Sequence, residues 1–441
     1  MPISPARIRA FEILHRVGAE GAYSSVLLAE TALILGEKDR ALCHEITLGT
    51  LRRQMYLDAV ISRHSAKPLK KIDNEVLIAL RMGLYQIEFL DRVPDHAVVN
   101  ESVGLAVRAG KRSARGFVNA VLRSALRKPA RFDFDDPVEE LSVIGSHPRP
   151  LVERWIDTFG FEETKALVEF NNSPPPTDFR FTVRFDRLPK GDRSEIEDYA
   201  ASVASRGQLA EGSFRETGSE PGLRELFEKG LIYFQDEASQ LVANSLAVAP
   251  SETVFDACAA PGSKTTAIAR KIDPASGLLI ACELNEARAH GLRANCQRQG
   301  AEFVGVVRAD ASRPLPFADG AFDKVLVDAP CTGTGTIARN PEIRYRLTEP
   351  DILEFPEKQL AILANASKAV KFGGMLVYST CSIEKEENEE VAEAFLGGAR
   401  KFEPAAPNVP GKILDGDKRA NILPQTWATS GFFIAAFRRS G

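Results

Sequence analysis

Val325-Leu-Val-Asp328-Ala-Pro330-Cys331-Thr-Gly333-Thr-Gly335 is the stretch on which the fold turns. An apolar run ends in an acid, then a proline, a cysteine and two spaced glycines. The run reads as a buried parallel strand, and the glycines as the turn that leaves it. Open α/β sheets bind their ligands beyond the carboxyl ends of the strands. Asp328 and Cys331 are therefore expected where chemistry occurs. A cysteine beside a proline in an ordinary loop needs no functional explanation. One just past a strand-terminal aspartate has to be weighed against the rest of the chain.

Around this stretch strands and helices alternate. Strands are expected at 253–258, 277–283, 303–308, 322–328 and 374–379, helices at 264–271, 286–299, 351–371 and 386–395, and a closing strand at 431–437. The pattern predicts a Rossmann-like, doubly wound α/β domain over 236–441, with a predominantly parallel sheet.

Thr253-Val-Phe-Asp256-Ala-Cys258-Ala259-Ala260-Pro261-Gly262-Ser263-Lys264-Thr-Thr reads as strand, tight loop of small residues and helix start. Small residues let backbone N–H groups approach a ligand, and a helix N-terminus adds positive potential. The spacing is neither a dinucleotide G-x-G-x-x-G nor a P-loop. Glu283 ends the next strand, ~20 residues past Gly262, where an acid can accept hydrogen bonds from ribose hydroxyls. Asp310 follows the third strand and is a candidate for holding an adenine amino group. Singly, each acid reads as a cap or solvated turn. Acids at successive strand ends beside a small-residue loop point to a bound cofactor.

With Tyr378-Ser-Thr380-Cys381-Ser382, these segments resemble the S-adenosylmethionine-dependent RNA cytosine-C5 methyltransferases of the NOL1/NOP2/Sun type. The resemblance runs from about residue 150 to the C-terminus and rests on three motifs in order. Ser263 departs from the family's more frequent glycine, and Glu283 from its common aspartate. The resemblance implies S-adenosylmethionine held by Cys258, Ala259, Ala260, Pro261, Gly262, Ser263, Lys264, Glu283, Asp310 and Asp328.

The chemistry explains the residue types. Carbon 5 of cytosine is a poor nucleophile until a thiolate adds to carbon 6. That addition needs a proton or strong hydrogen bond at N3, for which Asp328 is the candidate. Two thiols, Cys331 and Cys381, stand at strand ends, and composition does not say which attacks. The resemblance assigns attack to Cys381 and assistance in product release to Cys331. For Lys264 three roles stay open: orienting the base, lowering a thiol pKa, or capping the helix. Chemistry on a base requires an unstacked nucleotide, so a single-stranded or flipped cytosine is the expected target.

Residues 1–132 read as an all-α bundle. Helical spacing begins at Ile3, with Ser4 as a cap and Pro5 at the first helical position. From Arg108 through Lys111, Arg112, Arg115, Arg123, Arg127 and Lys128 to Arg131 there is no acid. Such a run reads either as a solvated helical face or as a phosphate-contacting surface. Arg112, Arg115 and Arg123 are the candidate RNA contacts. Val98-Val-Asn100-Glu-Ser-Val and Gly116-Phe-Val-Asn119-Ala-Val-Leu-Arg123 resemble the NusB-type RNA-binding domain. Residues 132–150 read as a linker, and 147–235 as a small α/β RNA-binding module. In that module one helix is expected from Leu151 to Phe170, a strand through Phe179–Phe185 and a helix over 196–206.

A NusB-like domain joined to such a catalytic domain resembles bacterial 16S rRNA cytosine-C5 methyltransferases. A tRNA or 23S rRNA target is the alternative with the same chemistry. A non-catalytic RNA-binding or antitermination factor is the alternative of another class, against which the intact Asp328, Cys331 and Cys381 count. The net charge of −4 argues against a chain basic throughout. Cys43, Cys258, Cys282, Cys296, Cys331 and Cys381 form no CxxC pair and no Cys/His cluster, so neither disulfides nor a metal are expected. Cys43 and Cys296 read as small buried hydrophobes. With no signal-peptide core and no apolar run of roughly 18 residues, a cytoplasmic monomer is expected.

Overall fold

The computed structural model describes residues 3–218 and 220–441. Met1 and Pro2, which open the predicted bundle, and Ser219, inside the predicted small module, lie outside the described residues. The chain divides into two compact units, Met1–Pro174 with Ile337–Arg346, and Pro175–Thr336 with Leu347–Gly441.

The second unit contains two sheets. The smaller joins β1 (Asp178–Phe181), β2 (Ala204–Arg206), β3 (Phe214–Glu216) and β4 (Ile232–Phe234) in the order β2-β3-β1-β4, all antiparallel. The larger comprises β5 (Thr253–Asp256), β6 (Leu278–Glu283), β7 (Gly305–Arg308), β8 (Phe322–Asp328), β9 (Val370–Thr380), β10 (Phe402–Ala405), β11 (Ala420–Ile422) and β12 (Phe432–Arg439). Its order is β10-β12-β9-β8-β5-β6-β7, with β11 pairing β12. β5 through β9 run parallel, whereas β12 is antiparallel to β9.

The apolar runs are continuous because both faces of the sheet are covered. Side chains alternate across it: Val254, Leu326 and Val377 enter one core, and Phe255, Val325, Val327 and Tyr378 the other. From β5 the strand order departs in both directions, to β6 on one side and β8 on the other. In open α/β sheets such a reversal is where ligands bind, here at the carboxyl ends of β5 and β8, where Asp256 and Asp328 stand.

The first unit is helical, with a core drawn from Pro5–Glu20, Glu37–Arg52, Gln54–His64, Asn74–Phe89, Asp95–Arg108 and Arg115–Arg127. Ser4 occupies the N-cap before Pro5, but its side chain makes no capping bond. Its hydroxyl instead accepts from Arg7 at 3.0 Å.

Five sequence expectations are corrected. The predicted linker holds a helix, Pro137–Ile144, because Asp136 accepts the Val138 N–H and Pro137 presets the first turn. The single helix across 151–170 is two, Arg149–Phe159 and Phe161–Asn171, broken where Gly160 takes φ 82°. The strand through Phe185 ends at Phe181, because Thr182 caps a short turn of helix and accepts from the Phe185 N–H. The helix expected over 196–206 is Lys190–Val203, and its last residues form β2. Ile337–Arg346 was read as part of a continuous catalytic domain, yet it belongs to the helical unit. There Arg344, 1% exposed, donates to the carbonyls of Ser146 (3.2 Å) and Asn171 (3.1 Å) and to Asn172 Oδ1 (2.9 Å). Among the described residues no helix is long and apolar enough to cross a membrane.

Candidate functional site

The loop after β5 is built as its composition predicts. Gly262 adopts φ +100°, and a Cβ there would meet the Leu292 side chain at 2.6 Å. Only glycine fits both constraints. Ser263 is tolerated because it already belongs to the helix Ser263–Ala269. Its carbonyl accepts from Arg180 Nη2 at 2.9 Å. Asp256 is buried; its Oδ2 accepts from the Thr265 hydroxyl at 2.7 Å, and its Oδ1 has no partner. Burial, reinforced by Asp328, pushes the Asp256 carboxyl up to about 7.

Glu283, 6% exposed at the end of β6, accepts the Asn285 N–H at 2.8 Å and faces Arg288 at 3.5 Å. Asp310 is engaged locally. Its Oδ1 accepts from the Ser312 N–H (3.0 Å) and hydroxyl (2.6 Å), and these bonds hold its carboxyl below the usual range. The small-residue loop, the orphaned buried oxygen beside it and the acid ending β6 fit a ligand with amino and ribose hydroxyl donors. Cys258–Lys264, Glu283 and Asp310 are the residues that would hold S-adenosylmethionine. Among the described residues no group of His, Cys, Asp or Glu forms a metal cluster.

Lys264 reaches from the loop to the end of β8. Its Nζ donates to Asp328 Oδ2 at 2.7 Å and lies 4.9 Å from the Phe432 ring centre. Burial pulls the ammonium's pKa down, but Asp328, Cys381 and Asp256 more than offset it, and the net shift is upward. Asp328 Oδ1 accepts from the Ser379 hydroxyl at 2.8 Å, across the β8–β9 register that pairs the two residues. The helix-capping role left open for Lys264 is thus not what its side chain does, since the ammonium ends in an ion pair.

The two candidate thiols meet. Cys331 Sγ and Cys381 Sγ are 3.2 Å apart. The hydrogen bond with Cys381, then burial, raises the Cys331 pKa well above the ordinary thiol value. All six cysteines are free thiols, and Cys43 and Cys296 are buried as expected.

Sequence reading missed the groups that hold the thiol loops. Glu387, fully buried, accepts from the Thr332 N–H (2.9 Å), the Ser382 hydroxyl (2.6 Å) and Gln359 Nε2 (2.8 Å). The only signal was an acidic run, Glu384-Lys-Glu-Glu387-Asn388-Glu-Glu390, that reads as a solvated helix start. Arg112, Arg115 and Arg123 belong to the helical unit, where all three are exposed.

Residues 243–438 match the model of the family described as 16S rRNA methyltransferase RsmB/F, and residues 4–127 match the NusB family. A probable ribosomal RNA small subunit methyltransferase B of Bacillus subtilis is 35% identical, over 98% of each chain. A ribosomal RNA small subunit methyltransferase B of Pseudomonas syringae is also 35% identical, over 90% of this chain and 89% of that one. The crystal structure of PH0851 covers 100% of both chains with a TM-score of 0.83 and 26% identity. The chain belongs to the RsmB/F family of methyltransferases, with a NusB-like helical domain before a Rossmann-like catalytic domain that uses S-adenosylmethionine.

Proposed function

We propose that this chain methylates carbon 5 of a cytosine in 16S rRNA through a covalent bond from Cys381 to carbon 6. Ribosomal RNA methylation follows from its family. The observation that carries the finer reading is the thiol pair at 3.2 Å, on the same strand ends as the Lys264–Asp328 ion pair.

Attack by the Cys381 thiolate forms an S–C6 bond. The C5=C6 π electrons shift to a C4=C5 enamine, and N3 gains a proton. Asp328, bridged to Lys264 and Ser379, is fixed in orientation, and the ion pair supplies that proton to N3. When bound, S-adenosylmethionine supplies an electrophilic methyl group for carbon 5. Release requires a base to take the proton from carbon 5. The C–H electrons restore C5=C6, the S–C6 pair returns to Cys381, and N3 gives its proton back to the ion pair.

Cys331 suits that later step. In the free enzyme its hydrogen bond with Cys381 is the first cause that keeps it protonated. Once Cys381 becomes a thioether, that cause is gone, and Cys331 ionises more readily. The same contact thus suppresses Cys331 during attack and frees it for elimination.

Bisulfite mapping of rRNA from cells with and without the gene tests the reading. The expected result is one 16S cytosine whose protection disappears with the gene. Unchanged 16S protection, with a lost site in tRNA or 23S rRNA, would reassign the substrate.

A further inference from the structure

Cys331 and Cys381 come from different loops, and their 3.2 Å spacing needs something to hold both. The residues on either side of each cysteine are tied to the same few side chains. After Cys331, the Thr332 N–H donates to Glu387 Oε2 at 2.9 Å, and the Thr332 hydroxyl donates to Oε1. Before it, the Pro330 carbonyl accepts from Gln359 Nε2 at 3.0 Å, and the same nitrogen donates to Glu387 at 2.8 Å. After Cys381, the Ser382 hydroxyl donates to Glu387 Oε1 at 2.6 Å. Before it, the Thr380 hydroxyl donates to Asn388 Oδ1 at 2.5 Å, while Asn388 Nδ2 donates to the Ser382 carbonyl at 3.0 Å. Tyr378 completes the frame, donating to the Glu387 carbonyl at 2.5 Å.

We propose that Glu387 is a positioning residue for the cysteine pair: its carboxylate bridges the two thiol loops and sets the sulfur spacing that product release requires. This rests on the reading that Cys381 attacks and Cys331 assists release. The donors named above are neutral hydroxyls and amides, so the carboxylate is held by hydrogen bonds rather than by an ion pair. Multiple bonds to one buried carboxylate fix its geometry more tightly than a single contact would. Burial raises the Glu387 carboxyl's own pKa, while the hydrogen bonds from Ser382, Thr332 and Gln359 oppose that shift and favour the ionised form. Glu387 is among the groups that raise the Cys331 pKa, after Cys381 and burial. It therefore acts twice, holding Cys331 in place and keeping it a thiol while Cys381 attacks.

Glu387→Gln tests this, because it preserves volume while removing the charge and one acceptor. Two readouts are needed. In RNA-free enzyme, alkylation of Cys331, followed by peptide mass spectrometry across pH, should shift to lower pH, by about tenfold in rate per pKa unit. With RNA and S-adenosylmethionine, the variant should form the denaturant-resistant RNA adduct but release it slowly, so that kcat falls more than adduct formation. Thr332→Val removes one bridging hydroxyl and leaves the acid intact. It should slow release with a smaller change in the Cys331 alkylation profile, and it serves where Glu387→Gln fails to fold. Unchanged partition between adduct and product in both variants would overturn the proposal. An RNA adduct absent even from Cys331→Ala, in which release is blocked, would instead overturn the covalent mechanism, and the alkylation shift would still report on Glu387.

Discussion

The sulfurs of Cys331 and Cys381 lie 3.2 Å apart although 50 residues separate them in the chain. β8 delivers one thiol and β9 the other, and the parallel register that pairs Asp328 with Ser379 brings both loops to the carboxyl end of the sheet. The two thiols are neighbours but not equivalents, since Cys331 is held protonated by its partner and by burial. Cys381→Ala should abolish both methyl transfer and the covalent RNA adduct, a loss on the order of 10³-fold or more. Cys331→Ala should still attack and then stall, so that protein–RNA adduct accumulates on a denaturing gel. An adduct from Cys381→Ala and none from Cys331→Ala would reverse the two roles.

Asp256 makes stability depend on pH. Burial, then Asp328, raises its carboxyl from 3.8 to about 7, against opposing contributions from Thr265 and Lys264. The folded chain therefore keeps a proton that the unfolded chain has lost across this window. The stabilisation is fully present below 3.8 and is lost as pH rises through about 7. Its slope is at most ~1.4 kcal/mol per pH unit. Asp256→Asn still offers an oxygen to Thr265 and cannot ionise. Urea melts of the cofactor-free protein should show a flatter pH profile for this variant, and higher relative stability at pH 8 than at pH 5. Parallel profiles for the two proteins would mean that Asp256 is ionised throughout.

The sheet was legible because its strands are buried on both faces and read as unbroken apolar runs, as Val325–Val327 does. The cofactor loop was legible because Gly262 and its small neighbours satisfy a backbone constraint that few residues can meet. Glu387 was not, because one buried acid in an acidic run carries no periodic mark. Nor did spacing reveal that Lys264 ends on Asp328, a contact between segments 64 residues apart. The helix Pro137–Ile144 was missed because its charges resemble a linker's, although Asp136-Pro137 is a capping signal. Ile337–Arg346 escaped for a different reason. Its membership of the helical unit depends on the carbonyls that Arg344 finds there, and those lie far away in sequence.

Arg344 is the test of that segment. Burial, then neighbouring Arg52, works against its charge and lowers its pKa to about 10, with Tyr345 pulling the other way. Truncation would leave the Ser146 and Asn171 carbonyls without this donor in a buried site. Arg344→Ala should destabilise the helical unit on the order of 3 kcal/mol. Arg344→Lys should recover only part of this, because one ammonium cannot reproduce the guanidinium fork. Trp155, 1% exposed with its ring 5.6 Å from His147, reports the unfolding by fluorescence in a Trp427→Phe background. A midpoint unchanged in denaturant would show that the segment is held without Arg344.

The basic run divides into cations that are already paired and cations that face solvent. Lys111 lies 2.9 Å from Asp73 and 3.5 Å from Glu75, and Arg108 lies 3.9 Å from Glu12. Arg112, Arg115 and Arg123 are exposed, and Arg123 is steadied along its helix by Asn119 at 3.0 Å. Phosphate contacts release counterions, so each one adds to the salt dependence of binding. Replacing the three arginines with alanine should weaken RNA binding at every sequence tested and reduce the slope of log K against log salt by about 2. Lys111→Ala should change that slope far less, because its charge is already balanced by Asp73 and Glu75. Filter binding of 16S fragments over a salt series separates the outcomes. Equal slopes for the triple variant and the unaltered protein would make these arginines a solvated face, and RNA recognition would then rest on the other unit.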